Sequence, residues 1–247
     1  MTPTEQFTAQ PGFMRIDLHC HTEASHDCRT PLKEVVDRCL ERQLDVLAVT
    51  DHNEVWGALE LVRIAAARGG PRIIVGEEIS TREGEIIGLF LNQKIPAGMT
   101  PEQTVKAIRD QGGLVLLPHG FDPLKAHRLR PAALERIASE IDIVETFNAR
   151  ISKPGWNRAA LAWAQEHGLA VSAGSDAHLR AHIGDAWVQT PRRSVQTPRD
   201  LLEALRAGEV MGTWTHPALA FALKMFDFGR HAMLGGPRAD NANRAAK

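Results

Sequence analysis

The chain has 247 residues, 43% of them hydrophobic and 24% charged, with 29 basic side chains against 30 acidic ones. That balance, with a pI near 6.8, argues against a polybasic binder of long nucleic acid or of a membrane surface. No apolar run approaches the roughly 20 residues of a membrane-spanning helix. Three cysteines are too few and too odd for a disulfide framework, and no basic-then-apolar leader opens the chain, so a reducing cytoplasm is the expected location. The compositional oddity is 11 histidines against no tyrosine.

Residues 1–12 and 235–247 read as flexible tails around one domain spanning 13–234, because they hold little that could be buried. Between them, the strand Met14–Leu18 is followed by a helix over Pro31–Gln43, opened by Thr30-Pro31. Strand Val46–Thr50, helix Val55–Arg68, and strands Arg72–Val75 and Glu85–Leu91 come next. A helix over Pro101–Gln111 has Thr100 as its cap and Gly112-Gly113 as its stop. Strand Leu114–Leu117, helix Pro131–Ser139, strand Asp142–Thr146, helix Trp156–His167 and strand Leu169–Ala173 complete the alternation. Helices over Pro198–Ala207 and Pro217–Phe226 close it. Near-continuous apolar strands alternating with amphipathic helices predict an α/β fold with a largely parallel sheet. Seven strands suit a barrel, whose chemistry gathers at the C-terminal strand ends.

Those ends can be read directly. The first strand runs into Asp17-Leu18-His19-Cys20-His21, and alternation puts His19 and His21 on one face. In isolation the pair fits either solvent-facing histidines or the start of a metal site. The other strands end in Thr50-Asp51-His52, Gly76-Glu77-Glu78, Pro118-His119 and Ser175-Asp176-Ala177-His178, and the sixth carries Glu145 and then Asn148. Carboxylates crowded on one rim repel unless cations neutralise them. A His/Asp/Glu set without thiolate suits Zn, Mn or Fe. Arg150 and Asn148 are candidate phosphate contacts, since guanidinium matches phosphate as a planar fork; the alternative is a pair that caps their own loop. Asp51 reads as a residue orienting His52 or another ligand, and Cys20, Cys28 and Cys39 as fillers.

In order along the chain, the His-x-His, Thr-Asp-His, Gly-x-Glu, Pro-His and Ser-Asp-x-His blocks resemble the PHP family, the polymerase-and-histidinol-phosphatase metal-dependent phosphoesterases. The resemblance implies a distorted barrel of seven strands and seven helices, a TIM-like (β/α)7 fold, holding two or three divalent metals. Carried over position by position, His19, His21, Glu78 and Asp176 correspond to one metal's ligands. Glu78 would bridge to a second, completed by His119 and Glu145. Asp27, His52 and His178 would hold a third. Many relatives carry histidine where Glu145 and Glu85 stand, which leaves the role of Glu85 open.

The function implied is hydrolysis of phosphomonoesters or phosphodiesters of small molecules or short nucleotides by a metal-activated water, with no protein nucleophile. No Gly-x-Ser-x-Gly elbow and no phosphate-cradling Gly-rich loop competes with it. A metal-dependent amidohydrolase and a non-catalytic regulatory PHP module are the alternatives.

Overall fold

The computed structural model describes residues 10–223 and 225. The tail expected at 235–247, most of the one expected at 1–12, and the Phe226 end of the last expected helix lie outside them. Strands β1 (Phe13–Asp17), β2 (Val46–Val49) and β3 (Arg72–Thr81) are parallel neighbours. Strand β4 (Gly84–Leu89) runs antiparallel to β3 and to β5 (Leu114–Leu117), and β6 (Ile143–Asn148) and β7 (Ala170–Gly174) continue in parallel. The sheet then returns on itself. Leu18 N–H donates to Ala173 O at 3.1 Å, Asp176 N–H to His19 O at 2.8 Å and His21 N–H to Ala177 O at 3.0 Å. These bonds join the ends of β1 and β7 and nearly close a seven-stranded, TIM-like α/β barrel.

Two strands lie beyond the expected seven. β8 (Ala186–Pro191) pairs antiparallel with β1, and β9 (Glu209–Gly212) with β8. They extend the barrel wall outside the strand–helix repeat, which is why the repeat gives no hint of them. Likewise, nothing in the apolar run of β4 distinguishes an antiparallel strand from a parallel one.

The helices are α1 (Leu32–Arg42), α2 (Trp56–Arg68), α3 (Pro101–Asp110), α4 (Pro131–Ile137), α5 (Pro154–Glu166) and α6 (Pro198–Arg206), with residues 217–223 also helical. Thr100 caps α3 in a reciprocal box with Gln103, with Pro101 following in the first turn. The Thr30-Pro31 opening expected to cap α1 with Thr30 starts one residue later. The cap position is Pro31, and the Glu23 carboxylate accepts the Leu32 N–H at 3.0 Å. Among the described residues, no helix is long and apolar enough to cross a membrane.

Alternation within β2 shows how the barrel is packed. Val46 and Ala48 join a cluster with Ile74, Ile87, Leu116 and Ile143 from the other strands. Leu47 and Val49 pack instead with Val35 and Val36 of α1 and Leu61 of α2. The strands are therefore buried on both faces, and their C-terminal ends are held in fixed register. Leu116, fully buried in the strand cluster, should lose about 2–5 kcal/mol of stability on replacement by alanine. Urea unfolding of Leu116→Ala is the check, and a loss below about 1 kcal/mol would contradict this packing.

Candidate metal centre

The rim at the strand ends brings together nearly every chemically active side chain expected there. Cys20 bridges to Ala177 and His52 to Glu78, so the loops after β1, β2 and β7 continue the strand register past the sheet. Asp17 fixes the first of these turns: its Oδ1 accepts the His19 N–H at 3.2 Å and the Ser175 N–H at 3.0 Å. Burial pushes the Asp17 carboxyl up to about 7 despite the hydrogen bonds from Ser175 and His19. Asp51 does not touch the His52 ring; it accepts the Thr22 N–H at 2.6 Å and the Thr22 hydroxyl at 2.8 Å. It thereby shapes the loop after β1.

At the centre lies Glu78, 1% exposed. Its carboxylate oxygens lie 3.4 Å from His19 Nε2, 3.4 Å from His21 Nε2, 3.2 Å from His52 Nδ1 and 3.0 Å from His119 Nε2. Burial alone would raise its pKa, but His19, His119 and His52 hold it well below the usual carboxylate range. Asp176, at the turn after β7, adopts φ 48°, a left-handed conformation that aspartate tolerates. Its Oδ1 lies 3.9 Å from His19 Nε2 and 3.6 Å from His21 Nε2.

The two imidazole nitrogens face each other, His19 Nε2 to His21 Nε2 at 3.2 Å. Their other nitrogens are engaged outward: His19 Nδ1 lies 2.9 Å from Glu145 Oε1, and His21 Nδ1 3.1 Å from Ser25 Oγ. Where those outer nitrogens carry the protons, two lone pairs and two carboxylates converge on one point. A tetrahedral ion with bonds of about 2.0–2.1 Å sets its donors about 3.4 Å apart. The His19, His21 and Glu78 donors lie 3.2 to 3.4 Å from one another, and Asp176 Oδ1 lies 3.6 and 3.9 Å from the two imidazole nitrogens. The same negative charge favours a proton on one imidazole and not on the other. Burial would lower the His19 pKa, yet Glu145, Glu78 and Asp176 hold it well above its ordinary value, while burial and the rings of His178 and His52 push His21 well below.

Further donor groups surround this one. His19, Glu78 and His119 form a second; His52, Glu78 and Glu85 a third; His21, His52 and His178 a fourth. Glu85 is 4% exposed, with oxygens 3.5 Å from His52 Nδ1 and 3.8 Å from His119 Nε2. Burial and the charges of Glu78 and Asp176 push it up to about 9. Asp27 lies on the outer side, its Oδ2 2.8 Å from His178 Nε2 and its Oδ1 3.8 Å from His52 Nε2.

Glu145 belongs to none of these groups. Beyond its contact with His19, its Oε2 accepts the His119 N–H at 2.7 Å and an Asn148 amide hydrogen at 3.0 Å. Both oxygens are committed, and the residue aims His19 instead of facing the donor cluster. Gly174 makes room for it: a Cβ there would lie 2.0 Å from Glu145 Oε1 and 2.5 Å from His19 Cβ. Asn148 is fully buried; its amide also reaches Asp176 Oδ2 at 3.3 Å, and its oxygen accepts the Arg150 N–H at 2.8 Å. Arg150 Nη1 donates to Asp176 O at 2.9 Å and to His178 Nδ1 at 2.5 Å. That leaves His178 Nε2 for a proton or a cation shared with Asp27.

Three participants escaped the sequence reading. Lys125, in the loop after β5, sets its Nζ 2.5 Å from Asp176 Oδ2; no pattern around it marks it, because the loop alone brings it back to the rim. Ser25 accepts the His52 N–H at 2.9 Å as well as meeting His21. Its place four residues after His21 was the available signal. Asn157 of α5 bonds both the N–H and the carbonyl of Asn148.

Residues 154–210 match the family described as PHP-associated. An uncharacterized protein of Methanocaldococcus jannaschii, MJ0417, is 33% identical over 194 residues, spanning 76% of this chain and 75% of its own length. A 3',5'-nucleoside bisphosphate phosphatase of Chromobacterium violaceum is 40% identical over 86 residues, 33% of this chain and 30% of that enzyme. In fold, the chain resembles a Bacteroides vulgatus two-domain protein described as containing a predicted PHP-like metal-dependent phosphoesterase. The TM-score is 0.64 at 19% identity, over 84% of this chain and 68% of the other. The chain belongs to the PHP family.

The metal-free rim has a consequence for stability. Above pH 7.5 an unfolded chain has lost its carboxyl and imidazole protons, whereas the folded one retains them on Glu85, until about 9, and on His19. The folded state then binds more protons, so metal-free protein should lose stability as pH rises from 7.5 to 9. Bound divalent ions should flatten that slope. Thermal melts at both pH values, with and without Mn, test this; a metal-free protein equally stable at both would contradict it.

Proposed function

We propose that the protein is a metal-dependent phosphoesterase acting on phosphomonoesters or phosphodiesters of small molecules or short nucleotides. One observation carries the reading: two buried imidazole nitrogens, His19 Nε2 and His21 Nε2, lie 3.2 Å apart, each with Glu78 Oε2 and Asp176 Oδ1 within 3.9 Å. The donor chemistry fits borderline divalent ions such as Zn, Mn or Fe, two or three of them given the adjoining groups. His19, His21, Glu78 and Asp176 would hold the first. Glu78 would bridge to ions also held by His119, and by His52 with Glu85. Asp27 and His178 would hold the outermost with His52. Ions bound there would supply an activated water and neutralise phosphoryl oxygens.

The chain's own groups do the rest. Glu145 and Ser25 hold the two imidazoles in the tautomer that turns Nε2 inward. Asn148 spans Glu145 and Asp176 and keeps the two carboxylates apart. Lys125 and Arg150, each partly exposed, bring positive charge beside Asp176, where a substrate phosphate can draw them off their present partners. Names of relatives agree with this class of substrate: the partial match from Chromobacterium violaceum is a phosphatase of nucleoside bisphosphates.

Protein reconstituted with Mn should carry two to three ions per chain and hydrolyse 4-nitrophenyl phosphate only with the metal present. Elemental analysis giving less than one ion, or hydrolysis untouched by chelator, would contradict the proposal. An acyl amide substrate turned over in preference to the phosphate ester would favour the amidohydrolase alternative.

The roles of two glutamates separate by metal counting. Glu145→Gln should weaken metal affinity about 10–100-fold yet fill every site at saturating Mn, because its loss disturbs only the aim of His19. Glu78→Gln should lower the ion count even at saturation. An equal drop for both variants would make Glu145 a ligand.

A further inference from the structure

Beside the metal rim, between the β3–β4 hairpin and the loop after β5, lies a cavity of about 350 Å3 whose lining includes Arg82, Glu85, Lys125, Arg128 and Arg130. Its walls are fixed by backbone pairing. Glu85 N–H donates to His127 O at 2.7 Å, and Arg130 N–H to Glu83 O at 2.8 Å, so the loop lies along β4 like a further strand. Gly84, at φ +128°, permits that approach: a Cβ there would meet Arg128 O and Leu129 Cα at 2.4 Å. Two lining residues belong to the rim as well. Glu85 lies 3.5 Å from His52 Nδ1, and Lys125 lies 2.5 Å from Asp176 Oδ2.

The charge of the lining is unevenly compensated. Glu83 is paired with Arg136, and Arg82 Nε donates to Gly98 O at 2.8 Å. Among the described residues, the Arg128 and Arg130 side chains have neither an ion pair nor a hydrogen bond. Two guanidinium groups without an ion pair, in a cavity that shares Glu85 and Lys125 with the rim, suit an anion in their chemistry. Guanidinium donors fit a phosphoryl group in forked pairs.

We infer that this cavity binds a second phosphoryl group carried on the alcohol portion of the substrate, with Arg128 and Arg130 as its specificity-determining contacts. The scissile phosphate then lies at the rim beside Lys125, an arrangement that rests on the phosphoesterase reading. The favoured substrates are bisphosphates whose two groups are separated by the distance from rim to cavity.

Non-hydrolysable ligands test this independently of turnover. The full Mn-loaded chain is titrated calorimetrically with alkanediyl bisphosphonates of increasing chain length and with the matching alkyl monophosphonates. At one length the bisphosphonate should bind about tenfold or more tightly than its monophosphonate. That preference should collapse in Arg128→Gln/Arg130→Gln, and fall in Arg130→Gln alone, whose exposed position leaves folding undisturbed. No preference at any length, or a preference that survives the double substitution, overturns the inference. Hydrolysis of 4-nitrophenyl phosphate without a bisphosphonate preference would sink this inference alone. A preference without hydrolysis would sink the phosphoesterase reading and leave the anion site standing.

Discussion

Everything at the rim is arranged around one buried carboxylate. Glu78 is 1% exposed and has imidazole nitrogens from His19, His21, His52 and His119 within 3.4 Å. A buried anion of this kind is costly unless positive charge accompanies it. Shared protons can supply that charge only in part, because His21 and His178 are held below their ordinary pKa by burial. Asp176 adds further negative charge, and Glu85, pushed up to about 9, holds a proton that a cation could displace. A divalent cation bound among these groups would meet their demand at once and would displace the protons they otherwise share.

The surrounding scaffold is built to keep this arrangement from relaxing. Asp17 ties the end of β1 to the turn after β7. Glu145 and Ser25 take the outer nitrogens of His19 and His21, so neither ring can rotate away without losing a buried partner. Gly174 leaves the space that Glu145 occupies. Side chains that make no contact with the donor point thus decide where the donors point, which is the usual function of groups behind metal ligands. The cost is met by the barrel, whose doubly covered strands hold the rim in register.

Much of this was legible because barrel strands end where chemistry gathers. The His-x-His after β1 and the carboxylate-histidine pairs after β2 and β7 carry their meaning in local spacing. Glu145 shows the limit of that logic. It sits on the right strand at the right face, yet two backbone-scale facts, the His119 N–H and the gap at Gly174, turn it onto His19. Asn148 fits the loop-capping alternative, since its oxygen takes the Arg150 N–H and its amide lies between Glu145 and Asp176. Lys125 was invisible for the opposite reason, since an irregular loop, and no periodic element, returns it to the site. The antiparallel direction of β4 and the outer pair β8–β9 also depend on tertiary pairing, which an apolar run does not encode. Glu85 could be noticed as a departure from histidine, but only the fold buries it beside His52 and His119.

The central claim is that one ion sits at the point enclosed by His19, His21, Glu78 and Asp176. Anomalous diffraction from crystals of Mn-reconstituted protein, collected at the Mn edge, addresses it directly. The account predicts a strong peak about 2.0–2.3 Å from His19 Nε2, His21 Nε2, Glu78 Oε2 and Asp176 Oδ1, with weaker peaks toward His119 and toward His52. A saturated crystal with no peak inside that donor set, or with the His19 and His21 rings turned away from each other, would contradict it.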